Sequence, residues 1–193
     1  MVSPRKSGTA TAADLVELER SEVIAGEVHE KAAPSAEHGD AQRALAQILG
    51  GRFHRRAGGG ANPGGWWIMT EVEIQLETHE VYVPDLTGWR RDNTPQRPSG
   101  RPVRIRPDSV CEILSPSTAR YDQVTKQRTF HRCGVGHYWI VDPEREVLVV
   151  QRWSTDGYLV VLTAGKGETV RPEPFEQAEL VVGELFGDEP ADA

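Results

Sequence analysis

The sequence predicts an α/β chain of the α+β kind: a mixed central sheet flanked by helices, with a C-terminal β-hairpin. Three observations carry that expectation. Apolar residues recur at helical spacing after Ser35, then change to a period of two from Trp67 onward. Three strand-like runs follow one another with no helix between them, which favours an antiparallel start. A helical run between two later strands favours a crossover, and so a mixed sheet.

Each element has a local reason. Residues 1–11 (MVSPRKSGTAT) are small and polar and are expected to be disordered. In 12–24, Leu15, Leu18, Val23 and Ile24 suggest a short helix, and Gly26 permits a turn into Glu27-Val28-His29. Ser35 reads as an N-cap, with Glu37 in the first turn and His38 three residues on. Ala41, Leu45, Ile48 and Leu49 continue that helix to Gly50-Gly51. Residues 55–65 (RRAGGGANPGG) are a loop.

From Trp67 to Leu76 polar and apolar positions alternate as one strand. Val81 to Trp89 reads as a second, and the short link Glu77 to Glu80 makes the pair a hairpin. Residues 90–107 form a Pro/Gly/Arg loop. Ser109 to Leu114 is a short buried strand. Ser115-Pro116-Ser117-Thr118 stops it and caps a helix that runs to Cys133 and ends at Gly134. His137 to Asp142 is a fourth strand. Glu146 to Trp153 and Tyr158 to Leu162 pair across Asp156-Gly157, a strong turn signal. Leu180, Val181, Leu185 and Phe186 suggest a docked segment before a flexible acidic tail at 187–193. The expected organisation is a single domain over 12–186.

Composition narrows the function classes. A chain of 193 residues, 38% hydrophobic and 26% charged, suits one globular domain. No window approaches the ~18 apolar residues of a membrane span, and no signal peptide opens the chain, so the expectation is a cytoplasmic protein without a membrane partner. Two cysteines, Cys111 and Cys133, cannot build a disulfide framework or a four-thiolate zinc site. The Gly-rich 58–65 run lacks the Gly-Lys-Ser/Thr ending of a phosphate loop, so no nucleotide cofactor is expected. The net charge of −7 is unevenly spread. Residues 164–193 carry eight acidic and two basic residues, whereas 51–107 carry nine arginines against six acids. A local basic patch of that kind suits nucleic acid better than the global charge suggests.

Paired carboxylates are the first chemistry to test. Asp85 follows Pro84 in one predicted strand and Glu112 lies in another. On neighbouring strands, about 5 Å apart, the two can converge. Convergent carboxylates repel unless a proton or cation intervenes, and oxygen-only ligands suit Mg²⁺ or Mn²⁺. Asp108 is a poorer partner, since four residues along one strand span about 13 Å. The bland alternative for Asp85 is a strand-end aspartate, and for Glu112 a buried salt bridge. Lys126, the only lysine between residues 70 and 160, lies on the following helix and can turn towards the sheet edge. Its bland alternative is an ion pair with Asp122. Arg90, Arg91, Arg97, Arg101, Arg104 and Arg106 lie between the two carboxylate strands and could line a DNA phosphate channel, or simply decorate a surface loop. The five tryptophans suit a core better than base-stacking platforms.

The residues also resemble a known pattern. Pro84-Asp85 followed by Glu112-Ile113-Leu114 is similar to the PD-(D/E)xK signature of the restriction-endonuclease-like superfamily. The runs GEV at 26–28, SAEH at 35–38, VPDLTGWRRD at 83–92, PDSVCEILSPSTARYDQVTK at 107–126 and GVGHYWIVDPE at 134–144 resemble the Uma-type "putative restriction endonuclease" family, a domain of unknown function. The resemblance spans roughly residues 12–186. The third motif position holds Leu114 instead of lysine, and Lys126 matches the lysine that replaces it in this family.

The resemblance implies a restriction-endonuclease-like fold and Mg²⁺- or Mn²⁺-dependent hydrolysis of DNA. It implies that Asp85, Glu112 and the Ile113 carbonyl hold the metal, with Glu27 a further ligand and Glu73 a looser one. Lys126 would assist the attacking water. Homodimers are common among such relatives, although no dimer face is legible in these residues. Two rival readings keep the scaffold without the chemistry: a non-catalytic nucleic-acid-binding or regulatory protein, and an interaction domain that binds through its acidic tail.

Overall fold

A computed structural model describes residues 8–18, 20–57, 62–115 and 121–190. Thr11 caps a 3-10 turn, Ala12–Leu15: its hydroxyl accepts from Ala13 N, and Asp14 accepts from Thr11 N at 2.8 Å. Ala10 is buried and donates to the Gly26 carbonyl, so order begins before residue 12.

The helix expected over 12–24 does not form beyond that turn. Ser21–Ile24 is instead strand β1, paired antiparallel with β2, Glu27–Glu30. Alternate side chains of β1 enter different cores: Val23 packs with Leu15 and Val81, whereas Ile24 packs with Ile74 and Tyr82. That two-sided burial, not helical spacing, explains the mixed composition. Ala25 and Gly26 both have positive φ, 51° and 76°, as the tight hairpin requires. Left-handed backbone costs an alanine about 1 kcal/mol. Ala25→Asn is therefore expected to raise stability by somewhat less than that, read as a higher urea midpoint with an unchanged slope.

Helix α1, Ala36–Phe53, starts where Ser35 Oγ accepts from His38 N and runs through Gly50-Gly51 to Phe53. The expected long hairpin is present but bent. Its first arm breaks at Glu71, whose φ is 49°, into β3 (Trp66–Thr70) and β4 (Ile74–Glu77). Its second arm breaks at Pro84, which has no N–H for a ladder, into β5 (Glu80–Tyr82) and β6 (Leu86–Arg90). β4 and β5 pair in one sheet, and β3 and β6 pair in another. Asp85 thus sits where the chain crosses between sheets.

β7 (Ser109–Ile113) leads through a π-helical turn, Tyr121–Lys126, into α2 (Gln127–Arg132) and then β8 (His137–Asp142). The cap expected at Ser117 and Thr118 lies outside the described residues. β9 (Val147–Ser154) and β10 (Gly157–Gly165) form the hairpin, and β11 (Thr169–Val170) pairs with β12 (Leu180–Val181). The large sheet has the order β10-β9-β8-β7-β6-β3, and the small one β2-β1-β5-β4. In the large sheet only β7 and β8 run parallel, joined by the expected helical crossover, which makes the sheet mixed.

One face of the large sheet, with Cys111, Ile113, Trp139 and Val150, packs on Leu45, Leu49 and Phe53 of α1 and on Phe175 and Leu185 of the C-terminal segment. The other face, with Trp89, Val110, Tyr138 and Ile140, packs on Ile24, Ile74 and Tyr82 of the small sheet and Phe130 of α2. Trp153, unlike Trp66, Trp89 and Trp139, stays exposed. The acidic tail is engaged at its start, where Asp188 pairs with Lys166 at 3.2 Å. Among the described residues no helix is long and apolar enough to cross a membrane.

Candidate functional site

A cavity of about 390 Å³ opens where the two sheets meet α1 and the π-helical turn, and Glu22, His38, Asp85, Glu112, Ile113 and Lys126 are among its lining. Four of these are ionisable groups of unusual burial: Asp85 and Glu112 are each 1% exposed, and Glu22 and Lys126 each 3%. Burying charge costs several kcal/mol per ion unless it is paired. Each is paired. Lys126 Nζ lies 3.0 Å from Glu112 Oε1 and 3.0 Å from Glu22 Oε2. Glu22 Oε1 in turn accepts from Val83 N at 2.8 Å.

The geometry follows from local structure. β7 buries Val110 on the face towards the small sheet and Cys111 on the opposite face. By strand alternation Glu112 points with Val110, towards β1 and α2. A π-helical turn is wider than an α-helical one, and this one ends at Lys126. Asp85 is held on three sides. Ile113 N donates to Oδ2 at 2.7 Å, while Lys31 Nζ and His38 Nε2 lie 3.1 and 3.4 Å from Oδ1. Gln42, one turn along α1 from His38, donates to the Asp85 carbonyl at 3.1 Å.

Electrostatics follow from these contacts. Burial pushes the Asp85 carboxyl up, but the hydrogen bond from His38, the Lys31 charge and the Ile113 N–H together hold it down at about 2. Lys31 loses by burial but gains more from Glu112 and Asp85, so its pKa is raised. Burial, with Asp85 and Glu112 nearby, pushes the Cys111 thiol well up, leaving it an inert core group. A carboxyl held lower in the folded state stabilises the fold above its unfolded value and loses that contribution as pH falls through the folded one. Wild type is therefore expected to be on the order of 2 kcal/mol more dependent on Asp85 ionisation at pH 6 than at pH 2. Urea unfolding of wild type and Asp85→Asn across that range should show the gap between them closing as pH falls. A constant gap would remove the charge from the account.

Not every expected residue joins the site. Glu27 is exposed at the start of β2 and is not among the residues that line this cavity; the acidic side chains of the hairpin that do are Glu22 and Glu30. Glu73 pairs with Arg101 at 2.9 Å and borders an adjoining groove. The six arginines do not form one channel. Arg90 and Arg91 lie over Trp66 and Trp67, at the far end of β6, about 17–20 Å along the strand from Asp85. Arg97 lines a separate groove beside His54, Arg104 donates to Gln75 at 3.0 Å, and Arg106 lies against Gly134. Arg101 alone among them borders the groove next to the site.

Sequence reasoning alone does not single out Glu22, Lys31, His38 or Gln42 as site residues. The i,i+4 spacing of His38 and Gln42 on a capped helix was a usable signal. Glu22 was masked by the helical reading of its segment.

An acidic residue thus follows the Pro84 crossover, a buried glutamate lies on the next strand and a lysine comes from the following helix. The chain matches the family described as "Uma2: Putative restriction endonuclease" over residues 12–183. The chain belongs to this Uma2 family. Its fold is also that of a solved relative, "a putative nuclease belonging to DUF820 from Anabaena variabilis", with a TM-score of 0.72 at 19% identity, covering 91% of this chain and 97% of that one. No curated protein matches the chain. Membership in Uma2 and the nuclease-like fold account for the mixed sheet and for the helical crossover between β7 and β8.

Proposed function

We propose that this Uma2 protein is a Mg²⁺- or Mn²⁺-dependent endonuclease that hydrolyses DNA phosphodiesters in the cavity of Asp85, Glu112 and Lys126. The observation that carries the reading is the charge of that cavity. Three buried carboxylates, Glu22, Asp85 and Glu112, face two ammonium groups, Lys31 and Lys126. Among the described residues these carboxylates outnumber the ammonium groups by one, with His38 Nε2 3.4 Å from Asp85 beside them, in a place where burial makes charge costly. Among the described residues no three His, Cys, Asp or Glu side chains form a ready cage for an ion. Mg²⁺ keeps most of its waters and takes one or two carboxylates, so it needs no such cage.

Asp85 and Glu112, with the Ile113 carbonyl, would hold the cation. When bound, it lowers the pKa of a water and polarises the phosphodiester. The chain's own residues supply the rest. His38, Lys31 and Ile113 N–H keep Asp85 ionised and oriented. Glu22 and Glu112 fix the Lys126 ammonium at the cavity wall, where it orients the attacking water and offsets charge on the pentavalent phosphate. Gln42 holds the Asp85 backbone at the strand entrance.

A scaffold that only binds or regulates would have no use for such a costly buried cluster, and apolar replacements would serve it as well or better. Calorimetric titration with Mg²⁺ tests the reading. One site per chain is expected in wild type, lost in Glu112→Gln. Equal binding by both would remove Glu112 from the site. No binding by wild type would leave the regulatory reading in its place.

A further inference from the structure

A second cavity, of about 410 Å³, adjoins the first, and Arg20 and Lys31 line both. Its other walls include Ser21, Glu73, Val83 and Arg101. Three cations therefore flank the passage between the two spaces, and they differ in how they are satisfied. Lys31 is paired with Asp85 at 3.1 Å and Arg101 with Glu73 at 2.9 Å. Arg20 meets no carboxylate among the described residues: its Nη2 donates to the Ala32 carbonyl at 2.9 Å. It is also one of four non-glycine residues with positive φ among the described residues, at 52°. Arginine pays for that conformation, and such strain collects where a side chain has to be aimed. The backbone here is held by Lys31 N, which donates to the Arg20 carbonyl and closes the β1–β2 hairpin.

We propose that Arg20 binds the phosphate next to the scissile one, so that the substrate strand passes from the Asp85–Glu112 cavity over Arg20 into the second groove. A guanidinium presents a planar fork that matches two phosphate oxygens, and a fork without a carboxylate partner has that capacity to give. The groove beyond suits a backbone more than a base. Its walls mix Arg20, Lys31 and Arg101 with the acids Glu71 and Glu73; with Lys31 paired to Asp85 and Arg101 to Glu73, Arg20 is the cation left to meet a phosphate, and there is no aromatic platform for stacking. Arg20 touches no reacting atom in this arrangement and acts as a positioning residue. The inference rests on the nuclease reading.

The test uses the full chain with Mg²⁺ and a labelled duplex that wild type cleaves, at several salt concentrations. Arg20→Gln is expected to raise the Kd about tenfold and to reduce the log–log salt slope by about one, while the rate at saturation changes little. Arg20→Lys should recover part of the affinity. A neutral methylphosphonate placed beside the scissile bond should weaken wild type but not Arg20→Gln, an effect that a merely structural role would not produce. If every neutral linkage penalises both proteins equally, or if Arg20→Gln binds like wild type, the assignment to Arg20 is overturned and the nuclease reading stands. If wild type neither binds nor cuts DNA, the nuclease reading falls, and the Arg20 assignment falls with it.

Discussion

Asp85→Asn is expected to lower metal-dependent cleavage by about 100- to 1,000-fold, the scale for losing one preorganised electrostatic group at a transition state. The fold should survive. Asn keeps the shape and its Oδ1 can still accept from Ile113 N, the contact that ties β6 to β7 at the crossing. What is lost is the negative charge that His38 and Lys31 hold in place. Lys31 then keeps its bond to the Val83 carbonyl, so it is not stranded without a partner. Single-turnover cleavage read beside thermal unfolding separates the two effects. A folded Asp85→Asn protein that cleaves at the wild-type rate would remove Asp85 from the chemistry.

Lys126→Met should have the largest effect on stability as well as a large one on rate. Its ammonium is the bridge between two buried carboxylates, and withdrawing it removes the cation they share. Removing one partner of a buried pair costs about 3–5 kcal/mol. Those carboxylates would then have to take up a proton or bind cation more avidly. Mg²⁺ binding should therefore persist within about tenfold of wild type, since the ligands remain, while cleavage is lost. The double variant Glu22→Gln with Lys126→Met removes one of the stranded charges. It should recover about half of the lost stability and none of the activity. Recovery of cleavage in the double variant would mean that Lys126 serves only to neutralise Glu22.

The parts legible from sequence were those with a local cause. Ser35 announced α1, Asp156-Gly157 announced the last hairpin, and the apolar run around Glu112 announced a buried strand. Glu112 could be named because a charge inside an apolar strand needs a reason, whereas Asp85 and Lys126 stood out through the resemblance to the Uma-type family. Long-range facts were not legible. Glu71 and Pro84 bend the hairpin across two sheets, and no periodicity records which sheet a strand joins. β1 looked helical because its two faces enter two cores. That error hid Glu22, the second partner of Lys126. Nearness in sequence leaves the arginine run free to line a channel or to decorate a surface loop, and it does not record that β6 carries Arg90 and Arg91 away from Asp85.

The central claim is that one buried cluster cuts DNA with a divalent cation. Nicking of supercoiled plasmid in Mg²⁺ or Mn²⁺, by wild type, Asp85→Asn and Lys126→Met in parallel, tests it most directly. The account predicts chelator-sensitive nicking by wild type and none above background by either variant. Nicking that persists in both folded variants, or that needs no divalent cation, would contradict it.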